Sequence, residues 1–295
     1  MLEKIGAFFK QIFDSYHVVD AFPEWFKALC VLSTLYFLLF GGMFIFYYSK
    51  FAALLKTSAV LSALEKKALL GDAQAMLELS FSESSRSFEI LSSVLRTNPQ
   101  DEVRQQAVFA LANLKDRRKV AVLGDTLVAE KWEVAGSCAE ALGRSGDPGA
   151  VPYLLKALEL HIDWVVAQKS AAALGNFEPN ATVARALVRA MNEGDSSFEA
   201  EAAKQSLVKF GGFSLSYLIE GLRSSTSSRG LSEGIHAIRL IGAADTAASI
   251  ASLENTRTRI PTLTSLDEKA RSQLIADCDR AIEDLQQQGQ GVRSK

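Results

Sequence analysis

A small-apolar dipeptide returns along this chain at nearly constant spacing, and no other feature limits the possible fold as much. Ala110-Leu111 is followed by Ala141-Leu142, Ala173-Leu174, Ser206-Leu207 and Ala237-Ile238, with steps of 31, 32, 33 and 31 residues between second members. A further step back of 32 from Leu111 reaches Leu79. The register extends beyond the pair: Val103, Val134 and Val166 each stand eight residues before their leucine. Leu91 and Leu95, Leu123 and Leu127, and Leu154 and Leu158 stand twelve and sixteen residues after Leu79, Leu111 and Leu142. Later units drift by a residue, to Leu187 and Met191 and then Leu218 and Leu222. A unit of this length cannot bury its own apolar face, so neighbours must stack into a solenoid.

The central unit shows what each repeat contains. Val134, Cys138, Ala141 and Leu142 follow i, i+4, i+7, i+8, the stripe of an amphipathic helix. Val151, Leu154, Leu155 and Leu158 form a second stripe. Between them, Gly143 is expected to end the first helix in a left-handed conformation, Asp147 to cap the second, and Pro148 to occupy its first turn.

These segments resemble a known family. "EVRQQAVFALANL", "EVAGSCAEALGRSGDPGAVPYLLKAL" and "VVAQKSAAALGNFEPNATVARALVRAM" are similar to HEAT repeats of the short, phycobilisome-lyase-like type, over roughly residues 72–254. The family pattern opens on Val-Arg, closes its first helix on Ala-Leu-Gly and continues with Asp-Pro and Ala-Val-Pro-Leu. Its opening arginine stands here only in Val103-Arg104. The resemblance implies a solenoid that presents an extended surface to a protein partner. Phycobilin-lyase activity is a fold-level association only.

Ahead of the repeats, the segment from Ala28 to Ser49 carries no charge. As a helix it would be about 33 Å long, enough to cross a bilayer. Trp25 precedes it, Tyr47 and Tyr48 end it, and Lys27 and Lys50 bracket it, as interfacial anchors do. Acidic residues in the preceding tail and the length of the run are unlike a cleaved signal peptide. Lys10 and Lys27 lie before the run and Lys50, Lys56, Lys66 and Lys67 after it, which favours a cytoplasmic C-terminal part. Leu2, Ile5, Phe8, Phe9, Ile12, Phe13 and Tyr16 share one helical face suited to the membrane interface or to a partner helix.

Composition narrows the function. With 32 Lys plus Arg against 34 Asp plus Glu, the chain lacks the basic footprint of a nucleic-acid binder. Its three cysteines, Cys30, Cys138 and Cys278, show no metal-ligand spacing and read as buried hydrophobes. "GRSGDPG" has neither the spacing nor the preceding strand of a phosphate-binding loop and reads as an elbow between helices. Only His17, His161 and His236 are present, and none belongs to a His-Glu pair of the kind carried by HEAT-like di-iron hydroxylases. No nucleophile elbow occurs. No cofactor, metal or small-molecule substrate is expected, and the chain reads as a non-enzyme.

The expected binding residues are aromatic and basic. Trp132 and Trp164 each stand ten residues before their anchoring leucine and should lie side by side in stacked units. Trp is a frequent hot-spot residue; packing under the loops is the competing role. Lys156, Arg185 and Arg189 fall on second helices, beside Glu159 and Glu193.

Together these features predict an all-α protein, an α-solenoid of about six HEAT-like helical hairpins preceded by one transmembrane helix. The expected divisions are an amphipathic tail (1–27), the span (28–49), a stalk or capping helix (50–71) and repeats (72–255). A loop and closing helix (256–288) and a disordered end (289–295) follow. The expected role is a bacterial-type, single-pass membrane scaffold. It would hold a protein partner through the repeat surface and meet the bilayer through residues 28–49 at the inner or plasma membrane. The alternatives are a structural component of a secretion, motility or envelope machine and, less favoured, a lyase-like enzyme.

Overall fold

Short polar residues in front of apolar stripes set where the helices begin. In a computed structural model, the chain is described over residues 59–82, 84–129, 132–160 and 163–293. It divides into two units, Met1–Ala63 and Leu64–Lys295. The described residues of the first, 59–63, are helical, as are residues 64–69 of the second. Among the described residues no helix is long and apolar enough to cross a membrane. The apolar run 28–49 and the amphipathic tail lie outside those residues.

Thirteen further α-helices follow among the described residues. They are α1 (Ala73–Ser80), α2 (Ser85–Thr97), α3 (Asp101–Asn113), α4 (Lys119–Ala129), α5 (Trp132–Ser145), α6 (Val151–Leu160) and α7 (Trp164–Leu174). After these come α8 (Ala181–Glu193), α9 (Ser197–Lys209), α10 (Leu215–Ser224), α11 (Ser228–Ile241), α12 (Thr246–Arg259) and α13 (Glu268–Arg293). Side-chain oxygens of Asp72, Asp163, Asn180, Ser196, Ser227 and Asp245 accept backbone N–H groups of the helices they precede. Each satisfies donors that a helix start otherwise leaves unpaired. Asp147 accepts from the Gly149 N–H at 2.9 Å, with Pro148 in the first position of a 3-10 turn that leads into α6.

The helices pair as six hairpins, α1/α2 to α11/α12. Odd-numbered helices stack on one another in one layer, from α1 to α13, and α4, α6, α8, α10 and α12 stack in a second. The periodic leucines form the seam. Leu79, Leu111, Leu142, Leu174, Leu207 and Ile238 are all inaccessible to solvent, as are Leu91, Leu127, Leu154, Leu187, Leu218 and Leu222 from the second helices. α13 closes the stack against α11 and α12 through buried Leu274, Cys278, Ile282 and Leu285.

The small residue before each leucine has a packing reason. Gly143 lies inside α5, which runs on to Ser145, and the left-handed residue is Gly146 at φ +64°. The expected stop at Gly143 is therefore corrected. A Cβ at Gly143 would stand 2.7 Å from the Ala173 Cβ and 2.9 Å from its Cα; one at Gly175 would stand 2.7 Å from the Ser206 Cβ. Adjacent first helices leave no room for a larger side chain there, so small side chains recur at one register. Ser206 also donates to the Ala171 carbonyl at 2.8 Å, tying α9 to α7. We expect Gly143→Ala to lower stability by about 1–2 kcal/mol in chemical denaturation. The better helix propensity of alanine offsets part of the clash. A stabilised variant would show that the stack can open without loss.

Side chains from one unit also close helix ends in its neighbours. Asn98 donates to the Leu69 carbonyl, Arg229 to the Gly194 carbonyl, and Arg259 to those of Leu222, Arg223 and Ser225. Helix ends leave such carbonyls unpaired, and a cation there also meets the negative pole of the helix. Arg259 is the last residue of α12, so the loop expected from residue 256 begins later. α13 likewise continues through Arg293, where the Gln/Gly-rich end was expected to be disordered.

Candidate functional site

Trp164 opens α7 behind Asp163, whose carboxylate accepts the Val165 N–H at 2.7 Å. The cap fixes the first turn and projects the indole at the end of the odd-numbered layer. There it meets Phe198, from the first turn of α9, with ring centroids 5.5 Å apart and planes tilted by 31°. Trp164 is 45% exposed and Phe198 58%, so the pair packs on itself and still faces solvent. Two large apolar rings left open at one spot are what a partner's hot-spot residue needs.

Trp132 occupies the equivalent place at the start of α5; its side chain lies outside the described residues, so its expected contact with Trp164 does too. The neighbour that Trp164 does touch is Phe198. A search restricted to tryptophan misses it, because Phe198 stands nine rather than ten residues before Leu207. A search for any aromatic residue at this register would find it.

From Phe198 a groove of about 540 Å³ runs over α5, α7 and α9. Ala172, Ala173 and Ala202 line it with little bulk, and Gln168 and Gln205 contribute amides. At the far end stand Arg144, Asn176 and Lys209. Lys169 in the groove pairs with Glu140 at 2.8 Å. Arg144 instead lies over the Phe109 ring, 5.8 Å from its centroid, and Lys209 donates to the Asn176 amide oxygen at 3.3 Å.

The basic residues expected on the second helices lie in the other layer. Lys156 on α6 is exposed. Arg189 on α8 pairs with Glu159 at 3.3 Å, with both side chains more than half exposed, and Arg185 lies over the Tyr217 ring at 5.6 Å. Arg185 and Arg189 share a shallow pocket with Tyr217 and Glu220 that does not include Lys156. The expected residues thus lie where the sequence reading put them by helix, Trp132 and Trp164 at the starts of odd-numbered helices and Lys156, Arg185 and Arg189 in the other layer.

A buried charged cluster ties α9 to α11. Lys204 on α9, 5% exposed, reaches Glu201 at 2.6 Å and Glu233 on α11 at 2.7 Å, with His236 Nδ1 at 3.3 Å. Burial acts to lower the Lys204 pKa, but hydrogen bonds to Glu201 and Glu233 outweigh it and raise the pKa. The lysine bond holds Glu201 below the usual carboxylate range. Partial desolvation first, then the Lys204 and Arg239 cations, lower the His236 pKa. A histidine whose folded pKa is depressed contributes stability above its unfolded value, about 6.5, and that contribution is lost as pH falls through the folded value. Because His236 is more than a third exposed, we expect only a small stability loss on acidification below about pH 6.5. His236→Gln should reduce it, as read by urea denaturation at several pH values. An unchanged slope would remove His236 from the explanation.

Neither described cysteine is poised as a nucleophile. Cys138 is buried, and burial, with Asp279 and Asp277 adding, pushes the Cys278 thiol up to about 12. Among the described residues no three His, Cys, Asp or Glu side chains converge in a way that could hold a metal ion.

Residues 88–175 match the family model of HEAT repeats. The matched segment runs from Phe88 in α2 to Gly175 just after α7, the region in which Gly143 and the Trp164 turn lie. Among solved structures, human deoxyhypusine hydroxylase in complex with glycerol is similar at 16% sequence identity and a TM-score of 0.38. That match covers 79% of this chain and 99% of the other. Likeness at this level says nothing about activity. No curated protein matches the sequence.

Proposed function

We propose that this chain is a non-catalytic scaffold that binds a protein partner through the first-helix layer of its HEAT-like solenoid and holds it at a membrane. The observation that carries the reading is the exposed Trp164–Phe198 pair, held by a capped helix start on a rigid stack. Neighbouring repeats add contacts along one surface, so the pair can act as the centre of a larger interface. The charged clusters support a structural role, since Lys204 and Arg118 are engaged by carboxylates of adjacent helices.

Membrane holding rests on the uncharged run Ala28–Ser49 and its aromatic and lysine flanks. Anchoring raises the local concentration of anything the solenoid binds. The lysine bias around that run supports a cytoplasmic position for the repeats. Deleting residues 28–49 is expected to move the chain from the membrane fraction to the soluble one; a deletion variant that stays with the membrane removes the anchor.

The binding arm is tested by Trp164→Ala. Its ring is half exposed, so stability should change by less than about 1 kcal/mol. Enrichment of the co-purifying partner, quantified by mass spectrometry against an anchor-only control, should fall about tenfold or more. Full enrichment with Trp164→Ala and with Phe198→Ala would move the binding surface elsewhere.

A further inference from the structure

We infer that the groove between α7 and α9 takes an extended, acidic peptide segment of the partner, with an apolar or aromatic side chain seated on the Trp164–Phe198 pair. This rests on the protein-binding reading and specifies the chemistry of what is bound. Three features of the groove point to that occupant. Its floor of Ala172, Ala173 and Ala202 lets a backbone approach closely. Its walls present Gln168 and Gln205, amides that can donate to and accept from peptide groups; Gln205 spends one N–H on Glu201 at 2.9 Å and keeps its second N–H and its oxygen. An extended strand has backbone N–H and C=O groups available for such pairing, whereas a helix has spent its own.

Charge selects the sequence of that strand. Among the described residues, Arg144 and Lys209 form no ion pair; they meet only the Phe109 ring and the Asn176 amide. Both are exposed and both face the end of the groove away from Phe198. Glu140 is engaged by Lys169, and Glu201 by Lys204. The unmatched charge at that end is positive, which a carboxylate of the ligand can meet. Phe198 to Lys209 on α9 covers about 17 Å, a distance that about five extended residues span. The expected pattern is an aromatic or large apolar residue followed, within about five positions, by Asp or Glu.

The test pans a phage-displayed library of random dodecapeptides against the full-length chain in detergent. Enriched peptides should share the apolar-then-acidic pattern. Their synthetic forms should bind about tenfold more weakly to a chain carrying Arg144→Glu and Lys209→Glu, and N-methylation of their backbone amides should also weaken them. Because carboxylates at helix ends can disturb the fold, the Arg144→Gln, Lys209→Gln pair is run beside it and should give a smaller loss in the same direction. Enriched peptides without acidic residues, binding indifferent to both variant pairs, or no enrichment would each overturn the proposal. If partner capture depends on Trp164 but no acidic peptide emerges, only the peptide chemistry falls. If acidic peptides bind the groove but no partner is captured, the scaffold reading falls instead.

Discussion

Leu142→Ala should lower the unfolding free energy of the repeat unit by about 3 kcal/mol. Leu142 is fully buried where α5 meets its neighbours, and emptying such a site removes transfer energy and leaves a cavity that close-packed helices fill only in part. Leu160, on the next helix but 50% exposed, provides the control. Its alanine variant should stay within about 0.5 kcal/mol of the parent. Solenoid units contact mainly their neighbours, so the damage should also be local. Amide exchange should rise first in α3 to α7, before α11 and α13 respond. Equal destabilisation by the two leucine variants would contradict the assignment of Leu142 to the seam.

Lys204→Ala should cost about 2 kcal/mol. Removing one partner of a fully buried pair costs about 3–5 kcal/mol, and the effect is smaller here because the Glu201 and Glu233 side chains are 44% and 22% exposed. The loss comes from two carboxylates left facing each other across the α9–α11 contact. Adding Glu233→Gln to Lys204→Met should therefore restore part of the stability, a coupling that a double-mutant cycle reads directly. Acid should shrink the difference between parent and variant. The Glu201 pKa is depressed by Lys204, so its contribution is present above the unfolded value of about 4.3 and is lost as pH falls through the folded one. A deficit that persists at low pH would mean that lost packing of the lysine stem, not charge, carries the effect.

The architecture was legible because its cause is periodic. Leucines spaced at 31–33 residues can lie on one seam only if the chain folds back in equal units, and those leucines are the inaccessible ones. Asp147 and Pro148 were readable for a similar reason, since capping and a missing N–H act within a few residues. Gly143 shows where local reasoning stopped. Glycine after Ala-Leu suggests a helix end, yet its role is set by Ala173 one repeat away. The candidate site was half legible. Trp164 stood out as a rare residue at a repeated register, but Phe198 joins it only through a one-residue drift. Lys156, Arg185 and Arg189 share charge and layer, but only the two arginines share a pocket. Arg144 and Lys209 escaped notice because their lack of carboxylate partners is a property of the folded stack.

The most direct test of a partner-binding first-helix layer places a photoreactive amino acid at position 198 in the full-length chain and irradiates intact cells. A second chain carries it at position 156, on the other layer. The expected result is a discrete adduct from position 198 that disappears with Trp164→Ala and is absent from position 156. No adduct from position 198, or the same adducts from both positions, would contradict it.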